Sequence, residues 1–402
     1  MPIKVVHIVR QYSPSMGGME DVVQNIARQQ REYHDQIPRI VTLNRLFRNS
    51  TEFLAPEAQI NGVGVVRLPF HGTSRYPLCP QVLHYVGDAD VIHVHGVDFF
   101  FDYLAATKLL HRRPLVASTH GGFFHTRFAS RLKKVYFNTV TRASAMAYDK
   151  IIATSENDGD IFGRIVKSPK LEVIENGVNV DKYRGLASPV PAQTLIYFGR
   201  WSINKGLIET LKLFKQLHDV QPAWKLIIAG REYDHTADEF HALLRDLHLS
   251  DAVQIVPNPS DQALAALIAQ AGYFICLSRH EGFGIAPIEA MSAGLTPILS
   301  DIPPFRHLIE QSGIGLLLNS NSSGNLDDSS SPDDNVNRLL ALHASVSSDY
   351  PQRRAQAQQF ADRYNWRHIA GRYTDVYQEL ADAGKSLKSS GTSATPRNPP
   401  QR

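Results

Sequence analysis

Two doubly wound α/β domains are the architecture this sequence predicts, and three observations predict it. Short apolar, β-rich runs alternate with helix-length segments along nearly the whole chain. The runs are continuously apolar rather than alternating, as strands are when helices cover both faces of a parallel sheet. The scheme also occurs twice, on either side of a small-residue and proline-rich stretch at 183–193, YRGLASPVPAQ, which reads as the hinge. At 402 residues and 43% hydrophobic content the chain is long enough for two cores of about 180 residues each.

In the first half the strand-like runs are VVHIVR, RIVTL, VGVVRL, ADVIHVHG, PLVAST, KIIATS and LEVIENG; in the second they are TLIYFG, WKLIIAG, AVQIV, YFICLS, TPILS and GIGLLL. The reading assigns residues 1–185 to the first domain and 186–365 to the second. The polar stretch NSNSSGNLDDSSSPDD, residues 319–334, reads as a surface loop, and the tail 384–402, with no acidic and almost no apolar residue, as disordered.

Ligands of open parallel sheets bind beyond the carboxyl ends of the strands, so the residues just after each run carry the functional information. After the first strand come Gly17 and Gly18 and then a helix beginning near Met19, an arrangement that suits either a plain turn or the close approach of an anion to a helix N-terminus. PLVAST ends in His120-Gly121-Gly122, a histidine at the sheet edge beside two glycines. KIIATS ends in Ser155, which can cap the next helix or meet a ligand. TLIYFG is followed by Arg200, a short loop and Lys205-Gly206 opening a helix; two cations and free backbone N–H groups around one point suit a diphosphate. YFICLS runs into Glu281-Gly282-Phe283-Gly284 and a helix carrying Glu289. Glu281 at the helix mouth has capping as an ordinary explanation. Glu289, among Ile288, Ala290 and Met291, does not; a carboxylate in an apolar run calls for ligand hydroxyls, such as those of a sugar or ribose.

Composition narrows the classes. A formal charge of +3 argues against a nucleic-acid partner, and the seventeen histidines show no metal-ligand spacing. Cys79 and Cys276 are the only cysteines, so neither a disulfide nor thiol chemistry is expected. No apolar run reaches the roughly 18 to 20 residues that cross a bilayer, and MPIKVVHIVR opens as a strand, so a cytosolic protein is expected.

EGFGIAPIE resembles the E-x7-E motif of the retaining glycosyltransferases of family 4, and GRWSINKG is similar to their phosphate site. DVIHVHG, STHGG, IENGVNVDKY, SAGLTPILSDIPP and YNWRHIAGRYTDVY extend the resemblance over about residues 3 to 380. It implies a GT-B fold, two Rossmann-like domains facing across a cleft, with a last helix, residues 366–383, crossing back to the N-terminal domain. It implies that Arg200 and Lys205 hold the donor diphosphate, that Glu281 contacts the transferred sugar with Gly282, Phe283 and Gly284 beside it, and that Glu289 holds the nucleotide ribose. His120 would lie beside the donor sugar, Ser155 near the cleft, and Gly17 and Gly18 over the phosphates or against the acceptor. Within the family, IVRQYSPSMGGMEDVV, STHGGFFHT and ATSENDGDIF look most like the α-mannosyltransferases of xanthan- and acetan-type polysaccharide assembly. That resemblance implies GDP-mannose as donor and polyprenyl-diphosphate-linked cellobiose as acceptor, met at the cytoplasmic face of the inner membrane.

Other readings compete. A family 4 enzyme using UDP-glucose or another donor would accommodate the same motifs, and a silent sugar-nucleotide-binding protein would be expected to lack one of these glutamates or the lysine. A nicotinamide dehydrogenase is disfavoured because no G-x-G-x-x-G follows a strand. Asp88-Ala89-Asp90 and Asp158-Gly159-Asp160 have the short spacing of metal-using transferases, but the first pair precedes its strand and the second falls in a helix, so no metal is expected. For membrane contact the candidate is 125–142, with Phe128, Leu132, Val135 and Tyr136 at helical spacing beside Arg127, Arg131 and Lys134.

Overall fold

A computed structural model describes residues 2–15, 17–47, 52–74, 76–121, 134–318 and 332–390. Contacts divide the chain into two compact units, 1–177 with 366–402, and 178–365.

The strands of the first unit are β1 (Lys4–Ile8), β2 (Ile37–Leu43), β3 (Glu57–Ile60), β4 (Val63–Leu68), β5 (His71–Thr73), β6 (Tyr76–Leu78), β7 (Val91–His95), β8 (Leu115–Ser118), β9 (Lys150–Ala153) and β10 (Leu171–Val173). Eight of them form one sheet in the order β10-β9-β8-β7-β1-β2-β4-β3, parallel throughout except for the edge pair β3–β4. The chain builds outward from β1 to β4 and then restarts on the other side of β1 with β7. The reversal of strand order between β1 and β7 makes their carboxyl ends the ligand-binding point of this sheet. Neither β3 nor the hairpin β5–β6 is among the expected strands. The β3–β4 turn is Asn61-Gly62, both at positive φ (52° and 73°), the backbone a two-residue hairpin requires.

The strands of the second unit are β11 (Thr194–Trp201), β12 (Lys225–Glu232), β13 (Val253–Pro257), β14 (Tyr273–Cys276), β15 (Thr296–Ser300) and β16 (Leu316–Leu318). They form an all-parallel sheet in the order β13-β12-β11-β14-β15-β16. Counted within the unit this is 3-2-1-4-5-6, the dinucleotide-fold order, with its switch point between β11 and β14. All residues of β14 and β15 are buried, which is why YFIC and TPILS read as unbroken apolar runs.

Three boundaries differ from the sequence reading. The stretch at 183–193 is not a free hinge: Gly185, Ala187 and Ser188 donate backbone hydrogen bonds to Ser292, Ala293 and Ala271, and Tyr183 and Ala187 are buried in the second core. The division falls earlier, at Gly177–Val178, and where the chain leaves the second unit Val178 bridges Asn365. Of the expected loop 319–334, residues 319–331 lie outside the described residues and the rest begin the helix Pro332–Ser348.

The closing helix, Trp366–Ser390, belongs to the first unit. Trp366, Ile369, Tyr373, Val376, Tyr377 and Ala381 recur at three- and four-residue steps and share a core with Val5, Ile26, Val91 and Val116. It runs seven residues into the expected tail, through Ser390, because KSLKSS holds neither proline nor glycine to stop it. Residues 391–402 lie outside the described residues.

Candidate active site

At the switch point of the second unit two loops meet, one after β11 and one after β14. Gly206 makes this possible. It has φ 66°, and a Cβ on it would stand 2.0 Å from the carbonyl oxygen of Leu277, so any other residue would push the loops apart. Asn204 then fastens them: its carbonyl accepts from the Arg279 N–H at 2.9 Å and its side-chain amide donates to the His280 carbonyl at 2.6 Å.

This backbone clamp brings Lys205 against Glu281, and the two form an ion pair whose side chains are only 19% and 15% exposed. The Ser278 hydroxyl donates to the same carboxylate oxygen of Glu281 at 3.0 Å, while the Ser300 hydroxyl donates to the Ser278 carbonyl at 2.6 Å. The carboxylate is therefore aimed by β14 and β15 together. Cys276 packs behind, its thiol pushed up to about 11 by burial and by the nearby Glu281 charge, so it carries no thiolate at neutral pH. Arg200 is exposed at the carboxyl end of β11, its guanidinium 5.5 Å from the centre of the Tyr233 ring.

Glu289 lies on the helix Ile285–Ala293, which starts at Gly284 with φ 95°. Its carboxyl has no hydrogen-bond partner among the described residues, and burial raises its pKa from 4.5 to about 7. Lys182 opposes that rise, but it is itself held by Asp261 at 2.8 Å. A carboxyl left unpartnered and costly to ionise suits hydroxyls that have yet to arrive. Gly282 is exposed, and a Cβ there would meet nothing within 4 Å. The partly buried Phe283 ring packs edge-on against Tyr364 at 5.6 Å, at the margin of the second core.

In the first unit, His120 follows β8 with φ 52° and shares a 2.9 Å hydrogen bond with His95. Burial lowers its pKa to about 4, so the ring is neutral at pH 7. Gly17 caps the helix Gly18–Tyr33 in extended conformation, and a Cβ on Gly18 would meet nothing within 4 Å. Neither glycine is demanded by backbone angle; Gly18 leaves room, whereas a Cβ on Gly17 would stand 2.6 Å from a Glu20 carboxylate oxygen. Ser155 accepts from the Asp158 N–H at 3.2 Å and caps the helix Glu156–Phe162. Its capping role is thus filled. The pair Arg10 and Asp98, 3.1 Å apart at the ends of β1 and β7, was not singled out from the sequence. Nor was Asn204, a polar residue in a polar loop, nor Ser278, which reads as the end of a strand.

Of the membrane candidate 125–142, residues 125–133 lie outside the described residues. The rest does not present one apolar face. Phe137 is buried against Phe162 and the Tyr136 hydroxyl donates to Asp102, whereas Val135 and Val140 are exposed.

Two family models match the chain, Glycosyltransferase Family 4 over residues 16–182 and Glycosyl transferases group 1 over residues 182–330. A Xanthomonas campestris GDP-mannose:cellobiosyl-diphosphopolyprenol alpha-mannosyltransferase is 51% identical, over 93% of this chain and 96% of its own. An enzyme of the same name from Komagataeibacter xylinus is 40% identical over 98% and 96%. Among solved structures, sucrose-phosphate synthase from Thermosynechococcus elongatus superposes with a TM-score of 0.64 at 17% identity, covering 95% of this chain and 100% of that one, a likeness of fold alone. The chain belongs to the family 4 glycosyltransferases and takes their GT-B form of two Rossmann-like domains.

Proposed function

We propose that this glycosyltransferase moves mannose from GDP-mannose to cellobiosyl-diphosphopolyprenol, keeping the α configuration. The observation that carries this reading is near-full-length identity of 40 to 51% to enzymes of that name. The chemistry of the second unit agrees with it. An arriving diphosphate draws the Lys205 ammonium away from Glu281, and the released carboxylate, still held by Ser278, accepts hydrogen bonds from sugar hydroxyls. Arg200, on its exposed stem, adds a second cation to the diphosphate. Glu289 accepts from the ribose.

In the reaction the bond between the anomeric carbon and the diphosphate oxygen breaks, and the acceptor oxygen bonds to the same face. The departing GDP phosphate takes the acceptor hydroxyl's proton. Lys205 and Arg200 stabilise the charge that grows on that phosphate, which is the largest contribution the protein makes. A screen of nucleotide sugars against lipid-linked cellobiose tests the reading: GDP-mannose is expected to be the productive donor, and turnover with UDP-glucose instead would overturn it. Lys205→Ala should lower kcat/KM by about 10² to 10³ with the fold intact, as judged by circular dichroism.

Cationic side chains rather than a metal neutralise the diphosphate in this scheme. Three of the four aspartates of those pairs are tied into the fold: Asp88 to Arg39 at 2.5 Å, Asp90 to the Lys4 N–H at 2.9 Å, and Asp158 to the Thr119 hydroxyl at 2.6 Å. Turnover should persist in EDTA. Activity lost on chelation and restored by magnesium or manganese would contradict the scheme.

Glu289 provides a pH test. Its folded pKa, near 7, lies above its ordinary 4.5, so the stability it contributes is full below about pH 4.5 and is lost as the pH rises through 7. Glu289→Gln removes that loss. The unliganded variant should therefore gain on the wild type by about 2 kcal/mol between pH 5 and pH 8 in urea titrations, while its transferase activity falls at both. An offset that does not change with pH would place the carboxyl in water.

Because the acceptor carries a polyprenyl chain and no described helix is long and apolar enough to cross a membrane, we place the enzyme peripherally on the bilayer that holds its acceptor. Lys134 and the exposed Val135 and Val140 support contact through 125–142. Sedimentation with anionic liposomes at low salt is expected, with about 1 kcal/mol contributed by each basic side chain near the surface. Replacing Arg131, Lys133 and Lys134 by glutamate should release the protein while a water-soluble acceptor analogue is still mannosylated. Undiminished sedimentation of that variant would remove the segment from the account.

A further inference from the structure

Beneath His120 the core of the first unit is polar where packing alone would make it apolar. His7 on β1 and His93 on β7 are register partners, and His95 lies two residues on, so all three side chains project from one face of the sheet. Ser118, the partner of His95 on β8, joins them. Gln30 reaches in from the helix Gly18–Tyr33, and Tyr373 and Tyr377 from the closing helix. All three histidines are at most 1% exposed.

Ring nitrogens of His7, His93 and His95 lie within 4.8 Å of one another, a spacing a metal ion could use. Every ring nitrogen is nonetheless already engaged. His7 contacts Gln30 and His95, His95 contacts His7 and His120, and His93 contacts Tyr377 and Ser118. A metal would have to break several of these bonds, so hydrogen bonding is the better account.

One branch forms an unbroken line from the interior to the surface: Gln36, Gln30, His7, His95, His120. Its direction can be worked out link by link. The Gln30 amide nitrogen donates to Gln36 at 2.9 Å, so the Gln30 oxygen is the acceptor in its 2.7 Å contact with His7 Nε2. His7 therefore carries its proton on Nε2 and accepts at Nδ1 from His95 Nε2, 3.0 Å away. His95 in turn accepts at Nδ1 from His120 Nε2 at 2.9 Å. The outermost ring is left with a proton on Nε2 and, on Nδ1, a lone pair that no described residue engages.

We propose that His95, backed by His7 and Gln30, is a positioning residue that holds His120 as the Nε2–H tautomer, so that His120 meets the substrate as a hydrogen-bond acceptor through Nδ1. Burial and the closeness of the rings keep the line neutral, with His7 lowered to about 4 and His95 lowered well below its ordinary value. His120 itself stands at φ 52°, a backbone state few side chains adopt. The group presented to the substrate is then an acceptor for a hydroxyl proton. A substrate analogue with fluorine in place of that hydroxyl would lose the contact.

Only the turnover arm of the test rests on the transferase reading. The first arm needs no substrate: long-range proton–nitrogen correlation spectra of the histidine-labelled protein at pH 7, with His120 assigned by its loss in His120→Asn. An unprotonated Nδ1 and a protonated Nε2 at His120 are expected. The opposite tautomer, or an averaged pair, overturns the proposal. In the second arm His95→Phe keeps a ring but no acceptor, and His95→Asn places its Oδ1 where Nδ1 stood. His95→Phe should lower kcat about tenfold to a hundredfold, with the KM for the donor changed less than about threefold, and His95→Asn should restore most of the loss. Equal losses in both variants would mean that His95 serves only packing, and the first arm decides the question should His95→Phe not fold.

Discussion

The ion pair between Lys205 and Glu281 organises the second unit's site, and its position follows from strand order. β11 and β14 are neighbours in space but separated by β12 and β13 in sequence, so the loops that follow them come together at the point where the strand order reverses. Two charges of opposite sign placed there, largely out of solvent, must find each other unless a ligand intervenes. The donor-free site is thus self-neutralised. In the proposed exchange a diphosphate would replace the carboxylate as partner of the lysine, and the carboxylate would become free for hydroxyls. One such exchange would ready the site for both ends of a sugar nucleotide.

That exchange depends on details away from the charges. Gly206 lets one loop lie against the carbonyl of Leu277, Asn204 holds the two loops in register, and Ser278 keeps the Glu281 carboxylate aimed while its cation is away. The register pair Gly199 and Gly230 does similar service one layer down: a Cβ on Gly230 would stand 1.8 Å from the Gly199 carbonyl. Glu289 is different in kind. Its carboxyl has no hydrogen-bond partner among the described residues, at a cost in stability, and in the proposed function it accepts from substrate hydroxyls.

Most of this was legible in the sequence for one reason: buried parallel strands are unbroken apolar runs, and the residues just after them are where such folds bind ligands. That rule singled out Lys205, Glu281 and Glu289 as candidates, although not the pairing of Lys205 with Glu281, since two residues 76 positions apart reveal nothing of their separation. Hairpin β3–β4 carried a legible signal in Asn61-Gly62. The stretch at 183–193 misled because small residues and proline mark an irregular chain without saying whether it is packed. The histidine line lay hidden for a third reason. VVHIV and VIHVHG are each ordinary strands, and only their pairing in register brings His7, His93 and His95 to one face.

The central claim, that donor binding takes Lys205 from Glu281, is tested most directly by calorimetric titration of GDP into the wild type, Lys205→Met and Glu281→Gln. Removing the lysine should weaken GDP by more than about tenfold, the ordinary worth of a charge-assisted contact to phosphate. Removing the charge of Glu281 should leave GDP bound as tightly as in the wild type or more tightly, because the lysine no longer has a competing partner. Equal weakening in both variants would mean that the pair acts as one structural unit and is never parted, and the account would fail at its centre.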